Sequence, residues 1–364
     1  MSTGIKPGLS AGPVTTTGVI AMRNLDARIE GLTDQASRES LTGAGWGELV
    51  ELTALRGHVR GRIDEAEHAA SLADAFVDRM PRDPRSRVAR ARLAACFHRF
   101  PAALADLDAA AALGLDRRSL DEERAAVHQS AGRYDAALAL HRHALSRRHD
   151  FSTLGALARC HAERGEAADA ESWFMAARHG YRGVSPLPLA VLEFQCGQAW
   201  LYRDSPAHAR PWLESATRRL PSYVPAQARL AGIDAGQGDA AVAVGELRRI
   251  ALDSDDPYYE AQLAGVLGER GEWGEARFWR ARAAAHYESL LARHPEAYAD
   301  HAAEFWLTVG GDPRRALRLA LWNLALRPTP RARALVERAR RRVGEQQENQ
   351  RLVQIGRRFA EGMT

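Results

Sequence analysis

The feature that most constrains this chain is a short motif that returns at nearly constant spacing along its 364 residues. A small residue and a Gly or Pro turn are followed by alanine, then by a larger residue four positions on, then by a small or apolar residue three further. Gly132, Tyr134, Ala137, His141 and Ala144 carry the motif, as do Gly165, Ala167, Ala170, Phe174 and Ala177, and again Gly238, Ala240, Ala243, Leu247 and Ile250. Gly271, Trp273, Ala276, Arg280 and Ala283 keep the same offsets. The first alanines fall at Ala66, Ala103, Ala137, Ala170, Ala209, Ala243, Ala276 and Ala316, with spacings of 37, 34, 33, 39, 34, 33 and 40 residues. Alanine has a physical reason here: two helices crossing at close range need a methyl at the contact, and a bulkier neighbour fills the adjoining gap. Gly or Pro between them ends one helix and opens the next. Such a hairpin cannot bury its apolar face alone, so the units must stack into one body rather than fold as two or three separate globules.

A period near 34 with two helices per unit resembles the tetratricopeptide repeat (TPR). In the unit containing Gly197, Trp200, Ala209, Leu213, Ala216 and Pro221, nearly the whole family signature stands at its expected separations. The resemblance covers about residues 47–330 and implies an all-α, right-handed superhelical solenoid of about eight TPR-like hairpins. Residues 1–20 read as a flexible tail, and 21–46 as a linker with a short leading helix around Arg23 to Ile29. Residues 331–364 read as a capping helix and tail, with Leu335, Val336 and Val343 as its apolar positions. The second unit departs from the pattern, because Phe97, His98, Arg99, Phe100 and Pro101 stand where a Gly turn is usual. A shortened loop is expected there.

The spacings also repeat as a set, since 34, 33, 39 is followed by 34, 33, 40. Glu163, Arg164, Gly165 and Glu166 with Ala170, Trp173, Ala177 and Tyr181 return 106 residues later as Glu269, Arg270, Gly271 and Glu272 with Ala276, Trp279, Ala283 and Tyr287. The long spacing always follows this unit, which predicts one to two extra helical turns, or a longer connection, at its second helix. The later copy has no Gly or Pro from Glu275 through Arg293 and predicts one long helix; Gly180, Gly183, Pro186 and Pro188 break the earlier copy into a loop. Two such protrusions would form a ledge for a partner, or serve as neutral insertions.

Composition narrows the function classes. Forty-six per cent hydrophobic but only 7% aromatic residues favour helices over a β-sandwich, and a net charge of +4 gives no general affinity for nucleic acid or membrane. Lys6 is the only lysine beside 49 arginines, a skew that reads as codon bias in a GC-rich, bacterial genome and excludes lysine-based chemistry beyond the tail. No stretch of 18 apolar residues runs without charge, and the first twenty residues lack a signal peptide's apolar core, so a cytoplasmic protein without a membrane span is expected. Cys96, Cys160 and Cys196 form no C-x-x-C pair and read as buried free thiols.

What the resemblance implies for function is a concave groove lined by the first helix of each hairpin. Mapped onto this chain, the candidate ligand-binding residues are Phe194, Gln195, Gln198 and Tyr202 in the fifth hairpin, Arg229 in the sixth, Tyr258 and Gln262 in the seventh and Asp300 in the eighth. Amide and aromatic groups suit an extended protein or peptide partner, with Arg229 for a carboxylate or phosphate. The absence of lysine from every repeat argues against the lysine-based carboxylate clamp known in this family. Gly232, Gly265 and Gly268 each weaken a helix and call for close approach, by a ligand or by a packed helix.

Catalytic motifs are sparse. Neither a Walker phosphate loop nor H-E-x-x-H occurs, and the one G-x-S-x-G match, Gly8 to Gly12, lies in the tail without strand or helix context. No cofactor is expected, with one alternative: His301 and Glu304, three apart on a helix beside Asp300, could share a divalent metal, making the chain a metal-binding protein or enzyme. Arg331, Arg333, Arg338, Arg340, Arg341 and Arg342 make the final segment basic, but without interleaved aromatics nucleic acid is an unlikely partner. A non-catalytic adaptor is the leading expectation.

Overall fold

The computed structural model describes Leu9 and residues 12–361, with side chains to residue 348. Half of the expected tail, with most of the Gly8 to Gly12 match, lies outside the described residues. Among those described, the regular structure is α-helix throughout apart from one 3-10 turn at Arg117–Leu120. A leading helix α1 (Gly18–Ser37) precedes eight antiparallel pairs. These are α2 (Gly43–Arg60) with α3 (Ile63–Arg79), α4 (Pro84–Cys96) with α5 (Phe100–Ala112), α6 (Asp121–Ser130) with α7 (Tyr134–Arg147), and α8 (Phe151–Glu163) with α9 (Ala167–Gly180). Then follow α10 (Leu187–Leu201) with α11 (Pro206–Arg219), α12 (Val224–Gly236) with α13 (Ala240–Asp253), α14 (Pro257–Glu269) with α15 (Trp273–Arg293), and α16 (Pro295–Leu307) with α17 (Pro313–Leu326). Helix α18 (Pro330–Glu361) lies on α16 and α17 through buried Ala332, Leu335, Val336 and Ala339. Each motif alanine falls in the second helix of its pair, and Ala103, Ala137, Ala170, Ala209, Ala243, Ala283 and Ala316 are almost wholly buried.

Successive first helices touch one another, whereas the second helices make no comparable mutual contact, so the first helices line the inside of the curve. The run breaks between α10 and α12, where the end of α2 is inserted instead. His58 donates to or accepts from the Tyr223 hydroxyl at 2.7 Å, and its ring meets those of Tyr223 and Phe194 edge-on. Phe194 is therefore part of the core, packed with Ala190, Leu213 and Tyr223, rather than on the groove face where the sequence reading put it.

That insertion begins a seam along which the solenoid touches itself. The turns inside the first three hairpins meet the openings of α14, α16 and α18, each five and a half hairpins further along the chain. At the first, the Ser254 hydroxyl donates to the Gly61 carbonyl, and the Asp255 carboxylate accepts from the amides of Ile63 and Asp64 at 2.7 and 2.9 Å. Asp255 thus caps α3 from across the seam, where α3 has no capping side chain of its own. At the second, His98 donates from Nδ1 to the Glu296 carbonyl at 2.9 Å and accepts at Nε2 from Arg327 at 3.0 Å. At the third, Arg327 Nε donates to the Ser130 carbonyl at 2.8 Å, and Gly132 lies against Pro328 and Thr329.

The second hairpin's turn is not shortened. It spans 97–99, three residues like the turns at 131–133 and 164–166. His98 takes the left-handed φ of 57° that Gly132 takes at 75° and Gly165 at 86°. Histidine is tolerated there because its ring is held by two partners across the seam.

Both long connections serve the same internal closure rather than a ledge left open. Helix α15 has 21 residues against 14 in its counterpart α9, and its end carries Arg293 and His294 to Glu67 on α3 at 2.9 and 2.8 Å. The loop after α9 receives the amino-terminal segment, where Thr16 donates its amide to the Val184 carbonyl at 2.8 Å. Beside it, Glu193, fully buried on α10, pairs with Arg178 at 2.9 Å and Arg219 at 3.0 Å, and Arg219 also donates to the Pro13 carbonyl. The described tail residues from Pro13 are thus docked, and the leading helix is longer than expected. Thr17 caps it, and Ala21, Met22, Leu25, Ile29 and Leu32 bury one stripe. Cys160 and Cys196 are buried, but Cys96 is exposed.

Candidate functional site in the central channel

On the inner side of each first helix of the later hairpins, half-buried or exposed residues recur at spacings of three and four. On α8 the stripe holds Ala156, Arg159 and Glu163; on α10 it holds Val191, Gln195, Gln198 and Tyr202. On α12 it holds Pro225, Arg229 and Gly232; on α14, Tyr258, Gln262 and Gly265; on α16, Tyr298, His301 and Glu304. Such stripes, on first helices that face the inside of the curve, make up the half-buried wall of the channel that these helices surround. Of the residues expected at the groove, Gln195, Gln198, Tyr202, Arg229, Tyr258 and Gln262 lie on these stripes, as do His301 and Glu304. Asp300 is buried beside its stripe, and Phe194 is in the core.

Two of the stripes meet through matched pairs. The Arg229 guanidinium on α12 sits 4.7 Å from the Tyr258 ring centroid and donates to that tyrosine's hydroxyl. Arg331 on α18 sits 4.8 Å from the Tyr202 centroid and donates to its hydroxyl at 2.8 Å. Arg229 and Arg331 also interact with each other electrostatically, and each with the other's tyrosine. Gln262 reaches back from α14 to donate to the Ala228 carbonyl at 2.8 Å, passing over Gly232, where an added Cβ would come within 2.7 Å of its amide nitrogen. The glycine at 232 thus leaves room for the Gln262 side chain. Gly265 and Gly268 show only ordinary contact distances, to Val309 and Trp273.

The acidic groups on the wall are divided by their surroundings. Burial alone would raise Asp300, but His301, Arg331, Arg327 and His98 outweigh it and hold the carboxyl at about 2. Asp256, which caps α14 by accepting from the Tyr258 amide at 2.9 Å, is shifted the other way: desolvation raises it, against the opposing influence of His301 and Arg229. Glu304 is occupied by Arg338 of α18, with contacts of 2.6 and 3.0 Å. His301 Nε2 stands 3.8 Å from Asp300, and Arg327 stands 3.7 Å from the same carboxylate. Among the described residues no three His, Cys, Asp or Glu side chains converge as a metal site would require. Asp300 and Glu304 instead face arginines, and His301 stands beside Asp300 and the Tyr298 ring.

The sequence reading missed Arg331, Arg327, Arg159, Glu163 and His98 as channel groups. For Arg331 a signal existed. It follows Pro330 at the start of α18 as Tyr258 follows Pro257 at the start of α14, so it occupies the second position of a helix that continues the inner series. No comparable signal marks Arg327, which reaches the channel only because the seam closes around it.

The paired helices, stacked eightfold with first helices inward, define a TPR-like solenoid. No family model matches the chain, and no curated protein matches it. Solved structures similar to it include a tetratricopeptide repeat protein from Parabacteroides merdae, 13% identical with a TM-score of 0.41 over 71% of this chain and 98% of that one. The human IFIT1 dimer with m7Gppp-AAAA is 13% identical with a TM-score of 0.43, over 82% and 72% of the two chains. YrrB, described as a TPR protein with an unusual peptide-binding site, is 16% identical with a TM-score of 0.30, over 54% and 96%. No described helix is long and apolar enough to cross a membrane.

Proposed function

We propose that this protein is a non-catalytic adaptor that binds an extended segment of a partner protein along the channel wall formed by α10, α12, α14 and α16. The observation that carries this reading is the row of amide, phenol and guanidinium side chains, Gln195, Gln198, Tyr202, Arg229 and Tyr258, exposed or half-buried along the inner faces of successive first helices, with Gln262 beside them bridging α14 to α12. Side chains of this kind satisfy the backbone and termini of an extended chain without demanding one sequence. Stacking on Tyr258 and Tyr202 holds the two guanidinium groups in place, which lowers the ordering cost of binding. The test is partner capture from the native host by the wild type and by Gln198→Ala, Arg229→Ala and Gln262→Ala combined, with helicity checked by circular dichroism. Loss of retained partners at unchanged helicity is expected. Undiminished capture would remove the channel from consideration.

A further inference from the structure

Most channel carboxylates and seam arginines are mutually occupied: Arg327 with Asp300, Arg338 with Glu304, Arg293 with Glu67. Arg229 and Arg331 are different. Neither forms an ion pair among the described residues, and the one hydrogen bond of each goes to a neutral phenol. One comes from α12 and the other from α18, each set over a tyrosine ring, and the two act on each other and on each other's tyrosine electrostatically. A phenol accepts one N–H of a guanidinium that carries five, so most of each fork stays unused. Asp300 and Glu304 act on Arg331 only from beyond ion-pair distance, so two cations with donors to spare and no carboxylate in direct contact are the complement of a compact dianion with several acceptor oxygens.

We infer that the Arg229–Tyr258 and Arg331–Tyr202 pairs form a receptor for a phosphate monoester carried on the bound protein segment, an inference that rests on the channel reading above. A carboxylate offers two oxygens and one charge, and would leave the second guanidinium uncompensated. A nucleic acid would bring a run of phosphates into a channel where Arg327 and Arg338 are already matched by Asp300 and Glu304, so few of them would meet an available guanidinium. A single phosphate on an otherwise uncharged peptide meets the positive charge where it is concentrated.

The test uses the full chain and three fluorescent heptapeptide pools, degenerate except for a central Ser, Asp or phosphoserine, with binding followed by anisotropy. The phosphoserine pool is expected to bind at least roughly tenfold more tightly than the Ser and Asp pools. Arg229→Gln and, separately, Arg331→Gln are expected to abolish that preference, bringing phosphoserine-pool binding down to the level at which the same variant binds the Ser pool. Arg331 is exposed on the last helix, so its substitution does not threaten the fold. Equal binding of all three pools overturns the phosphate receptor while leaving the channel reading standing, as does a preference that survives both substitutions. An Asp pool as tight as the phosphoserine pool assigns the site to carboxylates and overturns it too. Stronger competition by a 5′-phosphorylated single-stranded oligonucleotide than by the phosphoserine pool would transfer the site to nucleic acid. Absence of binding by any pool would contradict both readings together.

Discussion

At the scale of single residues, the account turns on buried or bridging groups whose ionisation differs from that in an unfolded chain. Burial, with Arg327 beside it, lowers His98 from 6.5 to about 4; Asp300 and the Glu296 carbonyl act in the opposite direction, and His301 adds to the lowering. Burial likewise lowers His141, which is hydrogen-bonded to Gln129 at 3.2 Å, to about 4. Between pH 4 and 6.5 the unfolded chain therefore binds more protons than the folded one. Stability is complete above 6.5, declines as pH falls through this window and levels off below 4 as far as these two groups are concerned. His98→Asn keeps a residue that accepts a left-handed φ and removes the titration. Its unfolding free energy, measured by urea titration across this window, is expected to depend on pH less steeply than that of the wild type; identical slopes would show that His98 is not held neutral. Glu193 is a second case. Removing the carboxylate that Arg178 and Arg219 share leaves buried positive charge, so Glu193→Ala is expected to cost about 3 to 5 kcal/mol in the same assay. A cost below about 1 kcal/mol would mean that the cluster is solvated.

At the scale of elements, the hairpins were legible because helix crossing imposes alanine, turn and spacing together, and each of these recurs in the chain. The second-order period was legible for the same reason, and α15 is the long helix it called for. What the repeat pattern did not carry was anything determined by residues far more than one repeat apart. Phe194 is an example: its place in the motif pointed to the groove, but the inserted end of α2 draws it into the core. His98 is another, since a histidine in a glycine position makes sense only once Glu296 and Arg327 are seen opposite it. A comparison of turns isolates this long-range contribution. Gly132 and Gly165 both have left-handed φ, but a Cβ on Gly165 would meet nothing within 4 Å whereas one on Gly132 would come within 3.3 Å of the Pro328 and Thr329 backbone. Gly165→Ala is expected to cost roughly 1 to 2 kcal/mol from the backbone alone, and Gly132→Ala measurably more. Equal losses would mean that the seam is not closed at that turn.

At the scale of the whole molecule, self-contact turns an open superhelix into a channel and brings Arg331, from the last helix, beside Tyr202, from the fifth hairpin. The candidate site was legible in outline, because an inner-helix phase selects one stripe per hairpin. Its charge pairing was not, because Arg327, Arg331 and Arg338 reach it only through closure and capping. His98→Ala combined with Arg327→Ala should loosen the second and third seam contacts, and a larger radius of gyration by small-angle scattering is the expected result; an unchanged radius would show that the turns hold together without them. The central claim is that binding occurs on the inner stripes. Its most direct test is photo-cross-linking in the native host, with a photoreactive amino acid placed at Gln198 on the channel wall and, separately, at Val242, which is exposed on the outer helix α13. Partner adducts at position 198 and none at 242 are expected. Adducts at 242 with none at 198 would contradict the account.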